Sequence, residues 1–262
     1  MVQQAELANC KILVTRPESQ AEKLAQGIQA LGGIPILLPC IIIAAPDSLT
    51  SLLQATEEVN SFDIAVFISP NAVDKTVPLL KQSWPTLPKH LKIACVGSGT
   101  AKALADYQIT VDFYPKARFN SEELITLPEL QNIAGKRIVL FKGEGGKPLL
   151  ADTLQQRGAI VHKAIAYKRC CPRINVESLL NRWESTAIDI IVSTSQEALN
   201  NFIRLIGKRG AILLQNTPLL VISPSMEQAA KQLGLTKIIL AENATDQAII
   251  TSLIQYRKQS NG

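Results

Sequence analysis

"RIVLFKGEGGKPLLADTL", Arg137 to Leu154, runs from an apolar stretch, Ile138 to Phe141, through a glycine-rich turn into a helical pattern that begins near Pro148. A strand, a loop and a helix N-terminus in that order gather backbone N–H groups where an anion can sit. The glycines fit neither the dinucleotide fingerprint nor the P-loop, so the question is which anion the loop holds.

The same grammar recurs along the chain. "KILVT" precedes a helical pattern over Ser19 to Leu31, "DIAVFIS" one over Asn71 to Leu80, and "KIACVGS" one over Thr100 to Tyr107. "RIVLFK" precedes Leu149 to Arg157, and "DIIVSTS" precedes Gln196 to Ile206. "PLLVISPS" precedes Met226 to Leu233, and "KIILAE" precedes Asp246 to Tyr256. Strands rich in Ile, Val and Leu that alternate with helices predict an α/β fold with doubly wound parallel sheets.

One offset organises these units. Ile12 and Ile138, Gly32 and Gly158, Asp63 and Asp189, Ser69 and Ser195, and Val96 and Ile222 are each 126 residues apart. Shared side chains at one spacing predict an internal duplication. Two divisions of the chain remain open at this point. A simple tandem repeat breaks near residue 130. Alternatively, the extended connectors at 33–46 and 159–172 pair as ribbons. The middle segment, about Ala45 to Ala166, is then one domain, and the two outer segments together form the other.

Composition narrows the function. The chain has 262 residues, 47% apolar and 19% charged, with a net charge of +5 spread among mixed signs. That is too diffuse for a nucleic-acid footprint and suits a small acidic ligand. The five cysteines, Cys10, Cys40, Cys95, Cys170 and Cys171, lack any CxxC spacing, so neither a disulfide framework nor a zinc site is expected. They read as small hydrophobes of a reduced, cytoplasmic protein. "MVQQAELANCKILV" lacks the pattern of a secretory signal, and no apolar run reaches membrane-spanning length.

Ligands of open parallel sheets bind where strands end and helices begin. Those positions here are "TRPES" (15–19), "SPNA" (69–72), "GSGT" (97–100), "KGEGGK" (142–147), "STSQ" (193–196) and "SPSM" (223–226). Ser, Thr and Gly in such loops cap helices, and their short donors and backbone N–H groups also suit anions. Arg16, its repeat partner Lys142, and Lys147 are the cations placed to pair with them. Ser69, Thr100, Ser195 and Ser225 are binding candidates by loop position, with Gly145 in the glycine-rich turn. His90 and His162 have no spaced ligand partners, and no G-x-S-x-G elbow or carboxylate pair occurs, so no metal site or triad is expected. Such chemistry rests on positioning and electrostatics.

The ordered set of segments resembles the uroporphyrinogen-III synthase family. The carriers are "KILVTRPESQAEKLAQGIQALGGIPILLP", "FISPNAV", "CVGSGTAKAL", "FKGEGGKPLLADTLQQRGAIVHKAIAYKR", "VSTSQEAL", "VISPSMEQAAKQLG" and "AENATDQAI", from Lys11 to about Gln255. The resemblance implies two similar α/β domains joined by a two-stranded β-ladder, residues 1–42 with 170–262 and residues 43–169. It implies cyclisation of hydroxymethylbilane, a linear tetrapyrrole bearing carboxylates, to uroporphyrinogen III. Water is lost, the last ring is inverted, no cofactor is required, and the substrate folds in an interdomain cleft. Tyr167, in "AIAYKR", matches the family's cleft tyrosine and is the expected proton donor. Met226 departs from the pattern, since its repeat partner is Thr100 and the family often has a hydroxyl there; Ser225 is the expected substitute. A monomer without nucleic-acid or membrane partners is expected. The competing expectations are a two-lobe binding module without catalysis and a sugar- or nucleotide-handling enzyme, which a choice of ligand distinguishes.

Overall fold

The computed structural model describes residues 5–260. The first four residues of the segment read for a secretory signal lie outside them. The strands are β1 (Lys11–Val14), β2 (Ile34–Leu37), β3 (Ile42–Ala44), β4 (Ile64–Phe67), β5 (Lys92–Cys95), β6 (Arg137–Gly143), β7 (Ile160–Cys170), β8 (Ile190–Val192), β9 (Leu219–Val221) and β10 (Ile238–Leu240). The helices are α1 (Glu18–Ala30), α2 (Thr50–Glu57), α3 (Pro70–Ser83), α4 (Ser98–Asp106), α5 (Ser121–Leu124), α6 (Leu149–Gln156), α7 (Glu177–Thr186), α8 (Gln196–Asn216), α9 (Pro224–Gln232) and α10 (Asp246–Ser260).

These elements form two compact units. One runs up to Ile42 and resumes at Cys170; the other is Ile43–Arg169. The first holds a sheet ordered β10-β9-β8-β1-β2, the second a sheet ordered β3-β7-β6-β4-β5. Both connector segments are drawn into strands. Residues 34–37 form the parallel edge strand beside β1. Residues 160–170 pair with β6 on one side, and β3 lies beside them on the other.

Each sheet is buried on both faces, which is why its strands read as continuous apolar runs. In β4, Ala65 and Phe67 join a core with Val73, Val77 and Leu80 of α3. Ile64 and Val66 face a second core with Leu150 and Leu154 of α6. In β1, Leu13 packs with Phe202 and Leu214 of α8, while Ile12 and Val14 pack with Leu24 and Ile28 of α1 and Leu253 of α10.

The duplication extends to the backbone register. Lys11 pairs with Ile34, and Arg137, at the repeat offset, with Ile160. Ile12 pairs with Ile190 as Ile138 pairs with Ile64. Ile191 pairs with Leu219 as Ala65 pairs with Ile93. Leu220 pairs with Ile239, and the equivalent Ala94 makes an isolated parallel bridge to Phe113. Each repeat therefore gives its first two strands to one unit and its later strands to the other.

Two aspartates fasten that shared design. The Lys11 N–H donates to Asp189 Oδ2 at 2.7 Å, and the Arg137 N–H donates to Asp63 Oδ2 at 2.8 Å. Each carboxylate ties the start of a central strand to its neighbour from the other repeat. Asp63→Ala and Asp189→Ala are each expected to cost about 2 kcal/mol, the scale of a hydrogen bond to a charged group. Urea denaturation of the two variants checks this, and matching losses are expected from matching positions.

Several elements extend beyond the sequence reading. α2 and α7 fill stretches between the strong patterns, and α8 continues to Asn216 past Gly207, where φ is 58° and the helix kinks. All five cysteines are free, and burial raises the Cys40 thiol to about 12 and Cys10 and Cys95 to about 11. Those three thiols stay protonated at neutral pH and behave as core side chains. Among the described residues, no helix is long and apolar enough to cross a membrane.

Candidate active site

In the Ile43–Arg169 unit, the carboxyl ends of β4, β5, β6 and β7 open on a cleft of about 390 Å³. Its lining includes Ser69, Lys142, Lys147, Tyr167 and Arg169, together with Glu122. The glycine-rich turn forms one wall. Gly145 and Gly146 have φ of 70° and 82°, consecutive left-handed positions that side chains disfavour. The turn thereby bends back on itself, and Lys142 Nζ donates to the Gly145 carbonyl.

Behind this turn lies a smaller cavity of about 200 Å³, lined by Lys142, Lys147 and Lys163. Burial lowers the Lys142 ammonium from its ordinary value, and the neighbouring positive charge of Lys163 adds to the effect. An anion offsets both penalties. Lys147 is exposed and pairs with Glu122 Oε1 at 3.1 Å. The Glu122 carboxyl is held below the usual carboxylate range by a hydrogen bond from its own backbone N–H and by Lys147.

Tyr167 sits on β7 with 6% of its surface exposed, and its Oη lies 3.0 Å from Ser69 Oγ. Ser69 caps α3, its Oγ accepting from the Ala72 N–H. With that acceptance made, the serine proton is available to the phenol oxygen. The phenol proton is then left for an acceptor in the cleft.

The other expected residues divide. Ser195 caps α8, accepting from the Ala198 N–H, as Ser69 does in the repeat. Ser225 is exposed in the first turn of α9, its Oγ 3.0 Å from that of the capping Ser223. Two of these expected residues are buried. Thr100 is 4% exposed and belongs with Leu104 to the buried stripe of α4, because i and i+4 share a helix face. Arg16 is 5% exposed and bonded within its own unit. Its guanidinium donates to Thr194 Oγ1 at 3.2 Å, to the Ala244 carbonyl and to Asp246. These bonds hold the entry to α10. The repeat partner of Arg16, Lys142, lines both cavities, so one sequence position carries two different duties.

A larger cavity of about 630 Å³ lies in the other unit, beside Pro224 and between β10 and α10. Glu242 is the charged residue among its lining, which disfavours an anion. The cleft around Tyr167 instead carries Lys142, Lys147 and Arg169 against Glu122 and Glu144.

Sequence reading missed Lys163, Arg169 and Glu122. Arg169 follows Tyr167 by two on the same strand, a spacing that puts both on one side. "NSEE" (120–123) signals a helix start, and Asn120 Oδ1 accepts from the Glu123 N–H, but its place beside the glycine-rich turn is set by tertiary packing.

The chain is similar to known proteins. The family profile HEM4, Uroporphyrinogen-III synthase HemD, matches residues 22–251. Uroporphyrinogen-III synthase of Escherichia coli (strain K12) is 35% identical over 247 residues, covering 92% of this chain and 99% of the relative. That of Synechococcus elongatus is 28% identical over 258 residues, covering 95% and 96%. Among solved structures, the uroporphyrinogen-III synthetase of Helicobacter pylori 26695 is similar with a TM-score of 0.61 at 17% identity, covering 97% of this chain and 100% of that one. A mutant uroporphyrinogen III synthase from the extremely thermophilic bacterium Thermus thermophilus gives 0.58 at 14% identity, covering 96% and 99%. Those two share the fold, and the profile and the Escherichia coli relative carry the assignment: the chain belongs to the uroporphyrinogen-III synthase family.

Proposed function

We propose that the chain closes hydroxymethylbilane to uroporphyrinogen III with Tyr167 as proton donor, and that the cationic cleft beside Tyr167 holds substrate carboxylates. The observation that carries this reading is the Tyr167 phenol, hydrogen-bonded to a helix-capping serine and opening on a cleft edged by Lys142 and Lys147. Tyr167 gives its proton to the departing hydroxyl, which leaves as water. The substituted carbon of the terminal pyrrole then attacks the electrophilic carbon to give a spiro intermediate. The bond from that carbon to its original methylene breaks, the free position of the pyrrole captures that methylene, and the proton lost there restores the phenol. Inversion requires attack through the substituted pyrrole carbon, so the protein's main task is to hold the chain folded with that carbon nearest. Carboxylates pinned at the glycine-rich turn supply such a fold. Ser195 and Ser225 remain candidate substrate donors by loop position. The buried thiols suit a cytoplasmic enzyme, and we take it to act as a monomer.

The test is incubation with freshly generated hydroxymethylbilane, followed by oxidation and separation of the isomers. A dominant type III isomer, against type I without protein, is the expected result; type I in both overturns the reading. Lys142→Ala is expected to raise KM about tenfold, the loss of one charge-assisted contact. Lys147→Ala, whose ammonium is exposed and already paired, is expected to raise it only about twofold. Steady-state kinetics of the two variants checks that order.

A further inference from the structure

We propose that Gly143 is the positioning residue for Tyr167: its missing side chain is the slot that fixes the phenol at Ser69. The inference rests on the reading of Tyr167 as the proton donor and adds the device that aims it. Along β6 and β7 the register runs evenly from Arg137 opposite Ile160 to Lys142 opposite Ile165. It then shifts, so that Gly143 stands opposite Tyr167 and Ala166 is the extra residue. A bulge of this kind re-aims the side chain that follows it.

The ring fills the space a side chain at Gly143 would take. A Cβ there would lie 2.6 Å from Tyr167 Cζ, 2.7 Å from Cε2 and 2.9 Å from Oη. These are the atoms at the reacting end of the ring. Gly143 is absent from the positive-φ residues that include Gly145 and Gly146, so space, not backbone conformation, demands glycine here. The ring has little freedom to retreat, because Tyr167 also packs into the core that contains Phe67 and Phe141.

The duplication supplies an independent argument. The two repeats match in register through both sheets, yet the positions equivalent to Gly143 and Tyr167 are Pro17 and Ile41. Strand β1 ends at Val14, equivalent to Leu140, whereas β6 continues to Gly143. The glycine and the tyrosine therefore occur together in the one repeat whose strand is extended to bring them face to face.

The experiment is a double-mutant cycle of Gly143→Ala and Tyr167→Phe, read by kcat, KM and thermal unfolding. Gly143→Ala is expected to lower kcat at least tenfold with KM changed less than about threefold, since a displaced donor acts in the transition state. In the Tyr167→Phe background the same alanine is expected to lower kcat less than twofold further. Wild-type kcat in Gly143→Ala, or an equal loss in both backgrounds, overturns the proposal. Should Gly143→Ala not fold, Gly143→Ala/Tyr167→Ala decides: a melting point matching Tyr167→Ala supports the slot, and failure to fold overturns it. Wild-type turnover in Tyr167→Phe alone instead overturns the donor reading, and the stability comparison still reports on the contact.

Discussion

Tyr167→Phe is expected to slow turnover by about 100-fold, the lower end of what a positioned acid contributes. The isomer formed by the residual activity is expected to remain type III. The phenol assists departure of the hydroxyl, whereas the choice of attacking carbon depends on how the substrate is folded. Stability is expected to fall by no more than about 1 kcal/mol, because Ser69 loses one partner and keeps its bond from the Ala72 N–H. Single-turnover rates, isomer analysis and urea unfolding separate these effects. A variant that turns over normally assigns the proton to another group; a variant that makes type I assigns Tyr167 to substrate folding.

Arg16→Leu is the second large effect, and it falls on stability. The guanidinium is buried and bonded to Thr194, Ala244 and Asp246, drawing together turns that follow β1, β8 and β10. Removing it leaves the Asp246 carboxylate, about a third exposed, without its counter-charge. The loss is expected to be about 3 kcal/mol, with Arg16→Lys recovering less than half because an ammonium cannot serve three fixed directions at once. KM of the folded variant is expected to stay within twofold. A tenfold rise in KM with unchanged unfolding returns Arg16 to the substrate.

The contrast between Arg16 and Lys142 marks what was legible in the sequence. The offset that makes them repeat partners was readable, since Asp63, Asp189, Ser69 and Ser195 recur with their side chains and keep their roles as clamps and caps. The apolar runs were readable because both faces of each sheet are covered. The fate of each cation was not, because Arg16 finds Asp246 230 positions away. The burial of Thr100 was not readable for a related reason: the helix face it shares with Leu104 turns inward only on tertiary packing. Gly143 gave no separate signal, since its partner is set by a one-residue shift between strands that no local pattern records.

The division of each repeat between both units also fixes an order of events during synthesis. The central strand β1 emerges from the ribosome early, but its partner β8 follows about 180 residues later. Until then one hydrogen-bonding edge of β1 stays open beside an apolar β2. The stretch Ile43–Arg169 is contiguous and has its whole sheet available before β8 is made. The Ile43–Arg169 unit thus has all its strands before the sheet around β1 can close. An unpaired strand edge of that kind is exposed to aggregation while it waits.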